Sequence, residues 1–266
     1  VGGGHDDRMD AVAHFAELVG RPDPPLDRAA LALAAGADAT LGPEPWLAEL
    51  DRLASGVTSL EGLLQRLFAE EDFRGNVDDY HDPRNSLLPH VLRRRLGIPI
   101  TLAVVTIEVG RRAGIALEGV GMPGHFLVRP VGTQTLIDVF HGGAVLDAAA
   151  CEALFRTATG AGPDVPFGPH LLAAAPTRSI LLRMLENLRL IYRARQRAAD
   201  LEWVVRMRLA LPGAGLPDLL ELAGTLGDQA RWIDGARLLE EQVPGAPPER
   251  AEILRTAART LRAHLN

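Results

Sequence analysis

One cysteine, two tyrosines, three tryptophans and no lysine at all in 266 residues already limit what this chain can do. The single thiol, Cys151, excludes an internal disulfide and a cysteine-rich zinc site. The missing lysines exclude Schiff-base and ammonium-nucleophile chemistry. All 28 basic residues are arginine, which together with abundant alanine and glycine reads as the coding bias of a GC-rich genome. No apolar run approaches the ~18 residues of a membrane span, and the opening VGGGHDDRMD has no signal-peptide core. The expectation is a cytoplasmic protein without membrane contact. A net charge of −6 leaves no basic footprint for nucleic acid. The densest positive run, Arg93 to Arg95, is expected to be a solvated helix face near a C-terminus.

What is present is an ordinary globular mixture, 47% hydrophobic and 23% charged, enough for one large or two small cores. Apolar residues recur with helical spacing from Arg8 to about Leu67 in four stretches separated by GRPDPP and LGPEP, with Ser59 or Thr58 as a cap for the last. The three consecutive glycines at the start suggest disorder there. Turn residues (Gly75-Asn76, Asp82-Pro83) precede two helical patterns, residues 86–96 and 99–113, with Gly97 as a terminator and Pro99 in the first turn of the second. That second helix is apolar on nearly every side, as a core helix is.

The period then changes to two, in LEGVGM, HFLVRP and TLIDVF, which predicts a short antiparallel sheet. A helix around AAACEALFR and a linker rich in glycine and proline follow, and from Pro176 onward the chain is helical again. A hairpin folded between Val131 and Gly132 would set His125 opposite Asp138, Phe126 opposite Ile137 and Val128 opposite Thr135. Facing Cβ atoms would then lie roughly 4.5–5.5 Å apart, close enough for a carboxylate to orient an imidazole. Such a pair also serves simply to satisfy a half-buried histidine.

A buried helix whose N-terminus points at a small sheet carrying a His–Asp pair is the layout of a papain-like or transglutaminase-like site. The run FRGNVDDYHDPRNSLLPHVLRRRLGIPITLAVVTIEVGRRAGIALEGVGMPGHFLVRP, with LIDVFHGG after it, resembles the SirB-type branch of the transglutaminase-like superfamily, whose members usually carry a tetratricopeptide-like helical tail. The resemblance implies an α+β fold: a transglutaminase/papain-like core, a buried helix against a small antiparallel sheet, with N-terminal helices and an all-helical C-terminal extension. It divides the chain into a partly disordered start (residues 1–20), the transglutaminase-like domain with its N-terminal helices (21–165) and the extension (176–266).

On this resemblance His125 and Asp138 match the superfamily's histidine and aspartate. The nucleophilic cysteine should fall at or next to Pro99, where the chain reads Pro99, Ile100, Thr101. Cys151 lies on a separate helix and is expected to be a buried structural thiol. Thr101 is the candidate substitute nucleophile, with capping or packing as its plainer role. Ser86 is read as a helix cap. Tyr80, Asp82, Arg84 and Asn85 form a polar stretch that either borders a binding site or braces the sheet, and Pro99 and His141 complete the candidate binding set.

His81, Asp82, His125, Asp138 and His141 have no dedicated ligand spacing, so neither a metal nor another cofactor is expected. The glycines after His141 suggest a tight turn behind the aspartate strand. Two functions remain open. One is a non-catalytic protein that binds a peptide or protein partner through the His/Asp cleft and the helical tail. The other is an amide or ester hydrolase or acyl-transfer enzyme in which His125 and Asp138 act as general base on Thr101, a water or a substrate group.

Overall fold

The computed structural model describes residues 3–265. Four helices open it: α1 (Gly3–Val19), α2 (Leu26–Ala35), α3 (Glu44–Ala54) and α4 (Leu60–Leu64). Helix α1 starts at Gly3, so the glycine-rich opening is helical where the sequence suggested disorder; Val1 and Gly2 lie outside the described residues. The Ser59 hydroxyl accepts from the Gly62 N–H at 3.1 Å and caps α4, as expected. This helix continues as a wider π turn over Gln65–Glu70.

A two-residue strand β1 (Arg74–Gly75) pairs in parallel with β2 (Leu96–Gly97), bringing together the ends of the segment that contains a 3₁₀ turn (Pro83–Ser86) and α5 (Leu88–Arg94). Helix α5 is not stopped by Gly97. Arg95 takes the left-handed conformation (φ 59°) as its cap, and its guanidinium is held by Glu49 at 2.6 Å and Glu71 at 2.8 Å. The arginine run lies at the helix C-terminus as expected, but only Arg93 is exposed: Arg94 pairs with Asp82 at 3.1 Å, Arg93 lies over Trp46 and Arg95 over Phe73. Ser86 is likewise no cap; Asp82 caps the 3₁₀ turn through the Arg84 N–H, while the buried Ser86 hydroxyl has no hydrogen-bond partner among the described residues.

Helix α6 (Pro99–Arg112) is buried from Pro99 through Thr106 and again from Glu108 to Gly110, as its predominantly apolar pattern dictates. It packs on the sheet formed by β3 (Leu117–Val120), β4 (Leu127–Pro130), β5 (Leu136–Asp138), β6 (Ala144–Leu146) and, beyond α7 (Ala148–Thr159), β7 (Ala174–Ala175). The strand order is β6-β5-β4-β3-β7, every neighbour antiparallel. Side chains alternate across this sheet as the period-two pattern requires. Phe126, Val128 and Ile137 join the core that holds α6, while Val120, Leu127 and Leu136 join Cys151 and Phe155 of α7 in a second cluster.

Five helices follow: α8 (Thr177–Ala194), α9 (Ala198–Leu209), α10 (Leu216–Asp228), α11 (Trp232–Glu240) and α12 (Pro248–Ala263), each packed on the next. The main core does not end with the sheet. It runs from Phe15 of α1 through α6 to Leu185 and Leu188 of α8 and Trp203 of α9, whereas α10 to α12 share a smaller cluster of their own. This continuity brings α8 against the start of α6, where the functional residues lie.

Candidate functional site

The hairpin register differs from the sequence expectation by two residues. Val128 stands opposite Ile137, not Thr135, because the turn at Pro130 and Gly132 (φ 79°) closes one position later, with the Pro130 carbonyl taking the Thr133 N–H and hydroxyl. A two-residue slip keeps every side chain on its own face of the sheet, whereas a one-residue slip would have reversed them all. His125, just ahead of β4 and after the left-handed Gly124 (φ 76°), is consequently diagonal to Asp138, and the pair still forms. The His125 Nε2 lies 2.9 Å from the Asp138 Oδ1, with both side chains more than nine-tenths buried.

Asp138 does more than the pair requires. Its Oδ2 lies 2.7 Å from the His141 Nδ1, and its Oδ1 also accepts the Phe140 N–H at 3.0 Å and the His141 N–H at 3.3 Å. One carboxylate thus holds two imidazoles whose rings lie nearly parallel, 6.0 Å apart and inclined by 20°. The expected tight turn follows at Gly142 and Gly143, both left-handed. Burial alone would raise the Asp138 carboxyl, but the hydrogen bonds and charges of His125 and His141 outweigh it and hold the group below its ordinary value.

The start of α6 faces this cluster. Ile98, Pro99, Ile100, Gly124, His125, Phe126 and Tyr80, with Arg183 and Asn187 of α8, enclose a cavity of about 30 Å³. Arg183 donates to the main-chain carbonyls of Met122 and His125 and lies over the Phe126 ring. Burial lowers its pKa, yet it remains a cation, and no carboxylate lines the cavity. An apolar groove of about 420 Å³ continues outward from Tyr80, Ile98 and Asn187 to Leu190, Ile191, Ala194 and Arg195 along α8.

The residues singled out in the sequence separate into two groups. Tyr80, Pro99 and His125 line the cavity, and His141 and Asp138 adjoin His125. Thr101 is not brought to His125. Fully buried, it donates its hydroxyl to the Asn85 carbonyl at 2.6 Å and accepts from the Ile98 N–H at 3.2 Å, so it locks the start of α6 to the preceding loop. Asn85, also fully buried, spends its amide on the Asp79 and Tyr80 carbonyls and takes the Asn76 amide. Asp82 is 4% exposed and ion-paired with Arg84 and Arg94, which hold its carboxyl below its ordinary value against the raising effect of burial. These residues, with Arg84, brace the loop that presents Tyr80 rather than lining the cleft.

Cys151 lies in the cluster behind the sheet, and burial pushes its thiol pKa up. Arg183, Asn187, Leu190, Ile191 and Ala194 were not identified from sequence. Their spacing is one face of α8, but nothing local in the tail shows that this face meets a histidine about sixty residues earlier.

The sequence pattern of the transglutaminase-like superfamily matches residues 29–186. The chain is 40% identical over 198 residues to a UPF0162 protein of Xylella fastidiosa strain Temecula1, covering 70% of each chain. It is 34% identical over 197 residues to a UPF0162 protein of Pseudomonas aeruginosa, covering 70% of this chain and 72% of that one. The human F-box only protein 21 is 30% identical over 143 residues, which are 48% of this chain and 21% of that protein. No solved structure matches the chain.

Proposed function

The chain belongs to the transglutaminase-like superfamily, and within it we propose a non-catalytic binding protein that acts in the cytoplasm and holds an extended segment of a peptide or protein partner. One observation carries this reading. Where the superfamily resemblance calls for a cysteine, the first turn of α6 offers Pro99, and the cavity beside His125 presents neither a thiol nor an aliphatic hydroxyl. The groove fits the partner's chemistry: Leu190, Ile191, Ala194 and Ile98 supply an apolar floor, while Arg183 and Arg195 favour an acidic or carboxylate-bearing segment. The superfamily's recurrence as a small part of the much longer F-box only protein 21 suits a module that works alongside other domains.

This proposal includes the SirB-type assignment and a tetratricopeptide-like docking role for the tail, whose helices stack in sequential order. The test is fluorescence anisotropy with short extended peptides of apolar sequence bearing acidic termini. The wild-type protein should bind a subset, and Leu190→Asp, at a position 53% exposed, should abolish binding without unfolding the chain. Peptide binding indifferent to Leu190→Asp, or turnover of amide, ester or glutamine substrates, would defeat the proposal.

A second reading rests on a separate feature. The cavity can hold a single water, and His125 Nδ1 has no protein partner among the described residues, so His125 could act as a general base on that water. Under this reading His125→Ala abolishes a measurable hydrolysis at unchanged melting temperature.

A further inference from the structure

We infer that His125, Asp138 and His141 form a binding site for one divalent transition-metal ion of the zinc, cobalt or nickel type. The three can each offer one ligand atom, and those atoms lie within 4.8 Å of one another. In the metal-free cluster these atoms stand at hydrogen-bond separations, 2.9 Å from His125 Nε2 to Asp138 Oδ1 and 2.7 Å from His141 Nδ1 to Asp138 Oδ2, and a spread of about 0.5 Å would bring them to the roughly 3.3–3.4 Å between neighbouring tetrahedral ligands at bonds of about 2.0–2.1 Å. Two imidazoles and a carboxylate suit borderline divalent metals, whereas magnesium and calcium take oxygen sets.

The surroundings meet the other requirements of such a site. Main-chain N–H groups of Phe140 and His141 hold Asp138 Oδ1, fixing the carboxylate from outside the ligand set. The Phe140 ring stands edge-on to both imidazoles, 6.1 Å from His125 and 5.1 Å from His141, and limits their rotation. The His125 and Asp138 side chains are 7% and 3% exposed, while His141 is 57% exposed, so the ion has a path from solvent on the His141 side. In the metal-free protein each imidazole can donate an N–H to Asp138. Binding requires that His125 Nε2 and His141 Nδ1 give up those protons, so that their lone pairs face the ion. His81 and Asp82 take no part, since Asp82 is committed to Arg84 and Arg94.

The inference is independent of the groove reading and is tested with the tag-free 266-residue chain by isothermal titration with zinc chloride and by the visible spectrum of added cobalt(II). One saturable equivalent is expected, with no comparable response to magnesium. His141→Ala, at an exposed position that should leave the fold intact, should weaken binding by more than about 100-fold, beyond the effect of losing an outer-shell partner. His125→Gln should do the same, and His81→Ala and Leu190→Asp should change nothing. Absence of a saturable equivalent in the wild type, or binding retained in His141→Ala, would overturn the inference.

Discussion

Replacing Gly75 by alanine tests how the loop carrying Asp138 and His141 is held. A Cβ at Gly75 would lie 2.5, 2.6 and 2.7 Å from the Cε2, Cδ2 and Cζ atoms of Phe140, far inside the ~3.5–4.0 Å of a normal carbon contact. The Phe140 ring cannot simply swing aside, because Tyr80, His125 and His141 pack edge-on around it at 6.0, 6.1 and 5.1 Å, and the Phe140 carbonyl accepts the Gly75 N–H at 3.2 Å. On backbone preference alone the change would stabilise the strand by about 0.5–1 kcal/mol. Overpacking costs about 1–3 kcal/mol, so the net expectation is a loss of up to about 2.5 kcal/mol.

Urea unfolding with a thermal melt would measure this loss, a few degrees in Tm for a chain of this size. The double variant Gly75→Ala/Phe140→Leu should be more stable than the sum of the single changes by about 1 kcal/mol, since the smaller side chain relieves the clash. A Gly75→Ala protein as stable as the wild type, with additive behaviour in the cycle, would refute this account of the packing.

Two further substitutions examine the loop in front of α6. Thr101→Val should cost about 1–3 kcal/mol, because it leaves the buried Asn85 carbonyl without its donor, while peptide binding by the refolded protein stays unchanged; loss of binding at full stability would place Thr101 in the site after all. Asp82→Asn should cost about 1 kcal/mol near neutrality, a modest figure because Arg84 is 58% exposed. The Asp82 carboxyl is lowered in the folded protein, so its contribution is complete above its ordinary value near 3.8 and is lost as pH falls through the folded value. The stability gap between Asp82→Asn and wild type should therefore close in acid, and a gap that persists there would show that the ion pairs are not its cause.

The parts of the molecule that could be read in advance were those written in local periodicity. Helix α6 was legible because apolar residues occupy nearly every side of it, with only Thr101, Thr106 and Glu108 polar before its last turn, and the sheet because HFLVRP and TLIDVF alternate. His125 and Asp138 could be paired since a hairpin relates them by symmetry, but the turn geometry at Pro130 to Thr133 set the register, and alternation does not encode that. The second imidazole on Asp138 was present in the sequence as an aspartate and a histidine three residues apart at a strand end. Its meaning depends on the loop turning back, which the two left-handed glycines after it permit.

Long-range packing was not legible. Gly75 reads as a turn glycine and is in fact required by a phenylalanine sixty-five positions away. The arginines at 93–95 read as solvent-facing, which holds for Arg93 alone; Arg94 and Arg95 meet Asp82, Glu49 and Glu71, partners that only the folded chain supplies. The contribution of α8 to the cleft has the same origin: a core continuous from α1 to α9 places Arg183 against the main chain of His125.

The central claim is that the cleft binds without forming a covalent bond to what it binds. Intact-mass spectrometry after exposure to an activated acyl ester, run side by side on wild type and His125→Ala, tests it most directly. The account predicts the same low, non-specific labelling in both proteins and no adduct on any residue lining the cavity. A stoichiometric adduct on Tyr80 or another residue lining the cavity that disappears in His125→Ala would contradict it.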